Sequence, residues 1–105
     1  MLIDTHCHVH FRAYDNDRDV VIRRALGEGV RMVSVGTDHD TSEAAIRLAA
    51  NYDGIWATVG LHPNHLFEYP TDSDEEVAST VERFDPEAYR RLAKQGKVVA
   101  IGECG

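Results

Sequence analysis

The sequence predicts an α/β protein built from parallel β/α units, and three observations carry that prediction. Short apolar runs alternate with amphipathic helical stretches four times along the chain. The runs are nearly continuous in Val, Ile, Leu and Ala rather than alternating with polar residues, as in a sheet covered on both faces. No Asn-Gly hairpin signal joins any two of them, so the connections read as right-handed crossovers through helices.

Each element has a local reason. Leu2-Ile3 is a short apolar entry leading into polar Asp4-Thr5-His6, as at the mouth end of a strand. Asp15-Asn16-Asp17 offers capping carboxylates to a helix in which Val20, Val21, Ile22, Ala25 and Leu26 recur at helical spacing. Gly27 and Gly29 close it. Val30–Gly36 is rich in β-branched residues and reads as the second strand. Thr41-Ser42 is expected to cap the next helix, whose apolar stripe is Ala45, Ile46, Leu48, Ala49 and Tyr52. Ile55–Leu61 is the third strand.

The 23 residues between Leu61 and Asp85 break the rhythm. They read as a long loop with a short helix spaced on Val77, Val81 and Phe84. The acidic run Asp72–Glu76 reads as a solvated helix start. Asp85-Pro86-Glu87 opens a helix through Tyr89 and Leu92 that ends near Gly96, with Asp as N-cap and Pro at the first helical position. Lys97–Gly102 is the fourth strand.

Composition narrows the class. With 43% hydrophobic and 28% charged residues in 105, the chain resembles neither a disordered nor a collagen-like polypeptide. No apolar run approaches the roughly 18 residues of a membrane span. The N-terminus lacks a basic segment and a long apolar core, so no secretory signal is expected. Cys7 and Cys104 are expected as reduced thiols in a cytoplasmic protein. Eighteen acidic against 11 basic residues leave a net charge of −7, without the basic patch usual for binding phosphates.

Chemistry concentrates at the ends of the predicted strands. His6 and His8 stand two residues apart, the strand spacing that turns both imidazoles to one face and suits a divalent ion. The alternative is a pair of satisfied polar residues at a strand end. Glu103 follows the apolar run Ala100-Ile101-Gly102, where a carboxylate needs a partner, and a cation is the natural one. His62 follows the third strand at the same mouth, as an oxyanion contact or proton donor or as a loop histidine fixed by Pro63. Asp4 is expected near the site, orienting the mouth without being a primary ligand.

The remaining polar residues read more plainly. His10 is expected at the surface or behind the ligands. Asp38, His39 and Asp40 could face the mouth, though Asp40 more simply caps a helix, and His65 is open in the same way. Cys7 and Cys104 neighbour inward-facing residues, so both are expected as small buried side chains on the outer layer.

Four segments occur in order, each after an expected strand: Asp4-Thr5-His6-Cys7-His8, Val35-Gly36-Thr37-Asp38, Gly60-Leu61-His62-Pro63 and Ala100-Ile101-Gly102-Glu103-Cys104-Gly105. Together they resemble the start of the TatD family of metal-dependent hydrolases. That resemblance implies the first four strands of a TIM-type (β/α)8 barrel with divalent metal at the strand C-termini. It implies magnesium, with zinc or manganese as alternatives, and a deoxyribonuclease-type phosphodiesterase acting on DNA or another phosphoester. Carried over residue by residue, His6 and His8 would ligate the metal, Glu103 would be a shared carboxylate, and catalytic His62 would line the pocket by the substrate phosphate.

The family pattern continues past the glutamate with further histidine and aspartate residues that this sequence does not contain. Residues 1–105 are therefore expected to be the N-terminal part of a single barrel domain, with little or no nuclease activity alone. Leu2–Thr5 and Val98–Ile101 are expected to carry unpaired edges and exposed apolar side chains. Two alternatives accompany this reading: a self-associating half-barrel that binds metal or serves a structural role, and an amidohydrolase-type enzyme acting on a non-nucleic-acid substrate.

Overall fold

Strand pairing follows chain order. In the computed structural model, which describes residues 1–66 and 81–105, the strands β1 (Leu2–Cys7), β2 (Val30–Val35), β3 (Ile55–Val59) and β4 (Val98–Ile101) form one sheet in the order β1-β2-β3-β4. Every pairing is parallel. Helices α1 (Arg18–Gly27), α2 (His39–Ala50) and α3 (Pro86–Ala93) make the crossovers. Because every step moves to the next strand in the same direction, right-handed crossovers put all three helices on one face.

That face holds the core. Ile22 of α1 and Ala45 and Ala49 of α2 pack with Met32, Ile55 and Ala57 from the central strands. Tyr89 and Leu92 of α3 pack on Val59. The small alanines let α2 approach the sheet closely, while Ile22 and Ile55 supply volume. The edge strands differ from the uniformly covered sheet that their apolar composition suggests. Leu2, Ile3, Val99 and Ile101 are 71%, 54%, 57% and 66% exposed, in line with the expected open edges.

Caps depart from expectation in two places. Helix α2 begins before Thr41-Ser42, and neither that pair nor Asp40 is its N-cap. Asp38 caps it: its carboxylate accepts the Thr41 N–H at 2.7 Å, and the Thr41 hydroxyl accepts the Asp38 N–H at 3.0 Å. Extended backbone at Asp38, three residues before a hydroxyl, makes this reciprocal box available. At α1 no carboxylate of Asp15-Asn16-Asp17 caps the helix. Asp15 instead accepts from Arg18 at 2.7 Å, and the same guanidinium donates to the carbonyls of Val9 and Phe11 at 2.8 and 2.6 Å. Arg18 thereby pins the loop after β1.

Helix α1 ends as read, with Gly29 at φ +79° and its N–H donating to Leu26. Asp85 caps α3 through the N–H groups of Glu87 and Ala88, ahead of Pro86. The short helix expected on Val77, Val81 and Phe84 lies mostly outside the described residues, as does the acidic run, and residues 81–85 are not helical. Among the described residues no helix is long and apolar enough to cross a membrane.

Candidate metal centre

The C-terminal ends of the parallel strands are tied together by their own backbone. The Gly102 N–H donates to the Val59 carbonyl and the Glu103 N–H to the Gly36 carbonyl, both at 2.9 Å. The Thr58 hydroxyl donates to the Gly102 carbonyl at 2.8 Å. The His62 N–H donates to the Thr37 carbonyl at 2.7 Å. The segments that carry Glu103 and His62 are therefore lashed to their neighbours. Glycines make this approach possible: a Cβ on Gly60 would stand 2.5 Å from the Gly102 carbonyl carbon, and one on Gly36 would stand 2.3 Å from the Ser42 hydroxyl.

Three side chains meet in front of this lattice. The Glu103 Oε2 lies 3.3 Å from His6 Nε2 and 3.8 Å from His8 Nε2. Donor atoms about 2.1 Å from a common ion stand about 3.0 to 3.4 Å apart in octahedral or tetrahedral arrangements, so the His6 spacing already suits a shared cation. The other oxygen, Oε1, faces His62 Nε2 at 3.5 Å. His6, His8 and Glu103 are partly open to solvent, their side chains 53%, 31% and 27% exposed. An incoming ligand could therefore reach the group.

His8 is prepared for ligation by its other ring nitrogen. Nδ1 lies 2.9 Å from the Val35 carbonyl, which can only accept, so Nδ1 carries the proton and Nε2 keeps its lone pair. Phe11 stacks on the ring with centroids 4.4 Å apart, fixing its plane. His8 lies just past the end of β1, not within it as the two-residue spacing supposes. A bulge between Asp4 and Cys7 adds a residue to β1 opposite β2. Within it the Asp4 carboxylate accepts the His6 N–H at 3.1 Å, taking a donor that the irregular ladder leaves over. Asp4 is not within the ligand group itself.

Of the two places expected for His10, the surface is excluded: the residue is 5% exposed, with Nδ1 2.5 Å from the Ser34 hydroxyl. Burial, reinforced by His8 and Arg18, lowers its pKa to about 3. Cys104 is exposed rather than buried, because it follows the last strand at an open edge. Cys7 is half-buried against the core, and burial raises its pKa.

Of the other residues weighed from sequence, Asp38 is used as a cap, and His65 is buried with its Nδ1 3.9 Å from Asp38 Oδ2. His39, Asp40 and Glu43 form a second, separate group of ligand-type side chains at the start of α2. Sequence reasoning passed over Thr58, the Val35 carbonyl and the Asn64 N–H. The first two sit in ordinary apolar runs, and a backbone group carries no residue-type signal.

Comparison with known proteins agrees with this architecture. Residues 3–105 match the family model described as TatD related DNase. The chain is 41% identical over 93 residues to the 3′-5′ ssDNA/RNA exonuclease TatD of Cronobacter sakazakii, covering 88% of this chain and 31% of that protein. It is 39% identical over 106 residues to the metal-dependent hydrolase YabD of Bacillus subtilis, covering 100% and 37% respectively. Among solved structures, YJJV, a TatD homologue from Escherichia coli K12, superposes with a TM-score of 0.71 at 30% identity over 97% of this chain and 36% of its own. The chain thus spans about a third of the length of these relatives and supplies the first four strands of their TIM-type barrel. With its four strand-end motifs inside the matched region, the chain belongs to the TatD-related DNase family.

Proposed function

We propose that residues 1–105 are the N-terminal part of one barrel domain of a metal-dependent phosphodiesterase that acts on single-stranded nucleic acid. One observation carries the proposal: His6 Nε2 and His8 Nε2 converge on the same oxygen of Glu103. The exonuclease name of the Cronobacter sakazakii relative supports the substrate class. His6, His8 and Glu103 would hold a divalent ion, magnesium by family resemblance, with a donor set that also accepts manganese or zinc. When bound, the ion supplies Lewis acidity and local positive charge to a phosphoryl oxygen, offsetting the −7 charge of the chain. The Val35 carbonyl orients His8, Asp4 steadies the His6 backbone, and His62 lines the pocket beside the phosphate. The free thiols Cys7 and Cys104 support a cytoplasmic location.

Three protein ligands and no general base from later strands leave the 105-residue chain with little or no activity alone. Calorimetric titration with Mn²⁺ or Mg²⁺ tests the centre: wild type binds, and alanine at His6, His8 or Glu103 abolishes binding. Robust cleavage of a single-stranded oligonucleotide that survives an Asp4/His6/His8/Glu103 alanine panel overturns the assignment. Cleavage of amide substrates in preference to phosphodiesters by the longer protein would point instead to amidohydrolase chemistry.

The exposed apolar residues of β1 and β4 favour a second reading, in which two copies close one eight-stranded barrel. Light scattering decides it, since that reading requires a defined species at twice the 11.7 kDa chain mass.

A further inference from the structure

His62 differs from the other two imidazoles in what its Nδ1 meets. Pro63 has no N–H, and the next backbone donor, that of Asn64, points back at His62 Nδ1 at 3.0 Å. The turn Pro63–Leu66 is a 3₁₀ helix, so this N–H is one of the donors left over at its start. A backbone N–H can only donate. Nδ1 is therefore an acceptor, and the ring carries its proton on Nε2, the reverse of His8, whose Nδ1 meets a carbonyl.

The backbone of His62 is held on both sides: its N–H is tied to Thr37, and its carbonyl accepts from His65 at 2.9 Å. The protonated Nε2 faces Glu103 Oε1 at 3.5 Å, on the side of the carboxylate opposite His6 and His8. The two oxygens of Glu103 thus have separate neighbours: Oε2 faces His6 Nε2 and the lone-pair Nε2 of His8, and Oε1 faces a donor.

From this we infer that His62 is a positioning residue locked as a hydrogen-bond donor by the Asn64 backbone, steering Glu103 so that Oε2 alone completes the group with His6 and His8, and that His62 is not itself a metal ligand. The inference rests on the metal-centre reading above for the role of Glu103, while the ring state of His62 stands on its own contacts.

Nitrogen-15 spectra of the histidine rings in the folded 105-residue chain test it without any turnover. His62 should show a protonated Nε2 and a bare Nδ1, and His8 the opposite pattern. Asn64→Ala keeps the backbone donor and should leave the His62 pattern unchanged, whereas Asn64→Pro removes the donor and should release a mixture of ring forms. On titration with Zn²⁺, the Nε2 signals of His6 and His8 should move as ligands while His62 keeps its Nε2 proton. His62→Ala should bind the same number of ions as wild type, with affinity weakened about 10-fold, as for other outer-sphere supports.

A His62 protonated on Nδ1 in the free chain, or one fewer ion bound by His62→Ala, overturns the inference. If Asn64→Pro does not fold, the wild-type and Asn64→Ala spectra still decide the ring state. Failure of wild type to bind Zn²⁺ sinks the metal-centre reading and with it the steering role, and leaves the ring state to be read from the free chain.

Discussion

Replacing Gly60 with alanine sets a methyl group against two backbone segments that have little room to part. The added carbon would lie 2.5 Å from the Gly102 carbonyl carbon, 2.7 Å from its oxygen and 2.9 Å from the Glu103 nitrogen. Comfortable carbon–carbon contact begins near 3.5 Å, so the strands must separate by about 1 Å. Three hydrogen bonds resist this: Gly102 to Val59, Glu103 to Gly36, and Thr58 to Gly102. Overpacking of this kind costs about 1–3 kcal/mol. In a domain of this size each kcal/mol lowers Tm by about 4–8 °C.

The displaced segment is the one that carries Glu103, so the contact to His6 at 3.3 Å is disturbed as well. Mn²⁺ affinity should fall about 10–100-fold, the range for supports of a ligand. Calorimetric titration and thermal unfolding of Gly60→Ala give both numbers. Gly27→Ala, at a position with nothing within 4 Å, serves as the control and should bind Mn²⁺ like wild type. A Gly60→Ala protein with unchanged Tm and unchanged Mn²⁺ affinity would refute the claim that this glycine sets the position of Glu103.

Glu103→Gln removes the negative charge while nearly preserving shape, and Mn²⁺ affinity should drop by more than about 100-fold, beyond the usual outer-sphere effect; calorimetry reads it. Asp38→Ala deletes the reciprocal cap of α2 and should cost about 1 kcal/mol, seen as a lower urea midpoint with an unchanged slope. His10 has a folded-state pKa of about 3 against an ordinary 6.5. Between those values the unfolded chain binds the extra proton, so the His10 contribution is fully present above pH 6.5 and is lost as pH falls towards 3. The stability difference between wild type and His10→Gln should therefore shift in favour of the variant on acidification, by at most about 1.4 kcal/mol per pH unit. Denaturant unfolding at a series of pH values checks it, and a pH-independent difference would count against the buried neutral ring.

Much of the fold was legible in local sequence. Val30–Val35 and Ile55–Val59 are strands because β-branched and apolar residues run without interruption. Asp85-Pro86 starts α3 because a carboxylate and a fixed φ suit that position. The caps of α1 and α2 are not legible locally, because several carboxylates and hydroxyls compete over a few residues. Arg18 drew Asp15 away, and Thr41 paired back to Asp38. The choice between surface and interior for His10 rests on Ser34, a partner on another strand. Cys104 departs from its expected burial because alternation along β4 does not continue past its end.

The order of motifs, the parallel β/α rhythm and the identities of His6, His8, His62 and Glu103 were set by sequence alone, because residue type and short-range spacing carry that information. Which nitrogen of His8 and of His62 is free was decided only in three dimensions. Val35 and Asn64 reach the rings through backbone atoms, and a backbone carbonyl or N–H looks the same in every sequence. The placement of Glu103 likewise depends on contacts from β2 and β3 across the ends of the sheet, a convergence that arises only when the strands lie side by side.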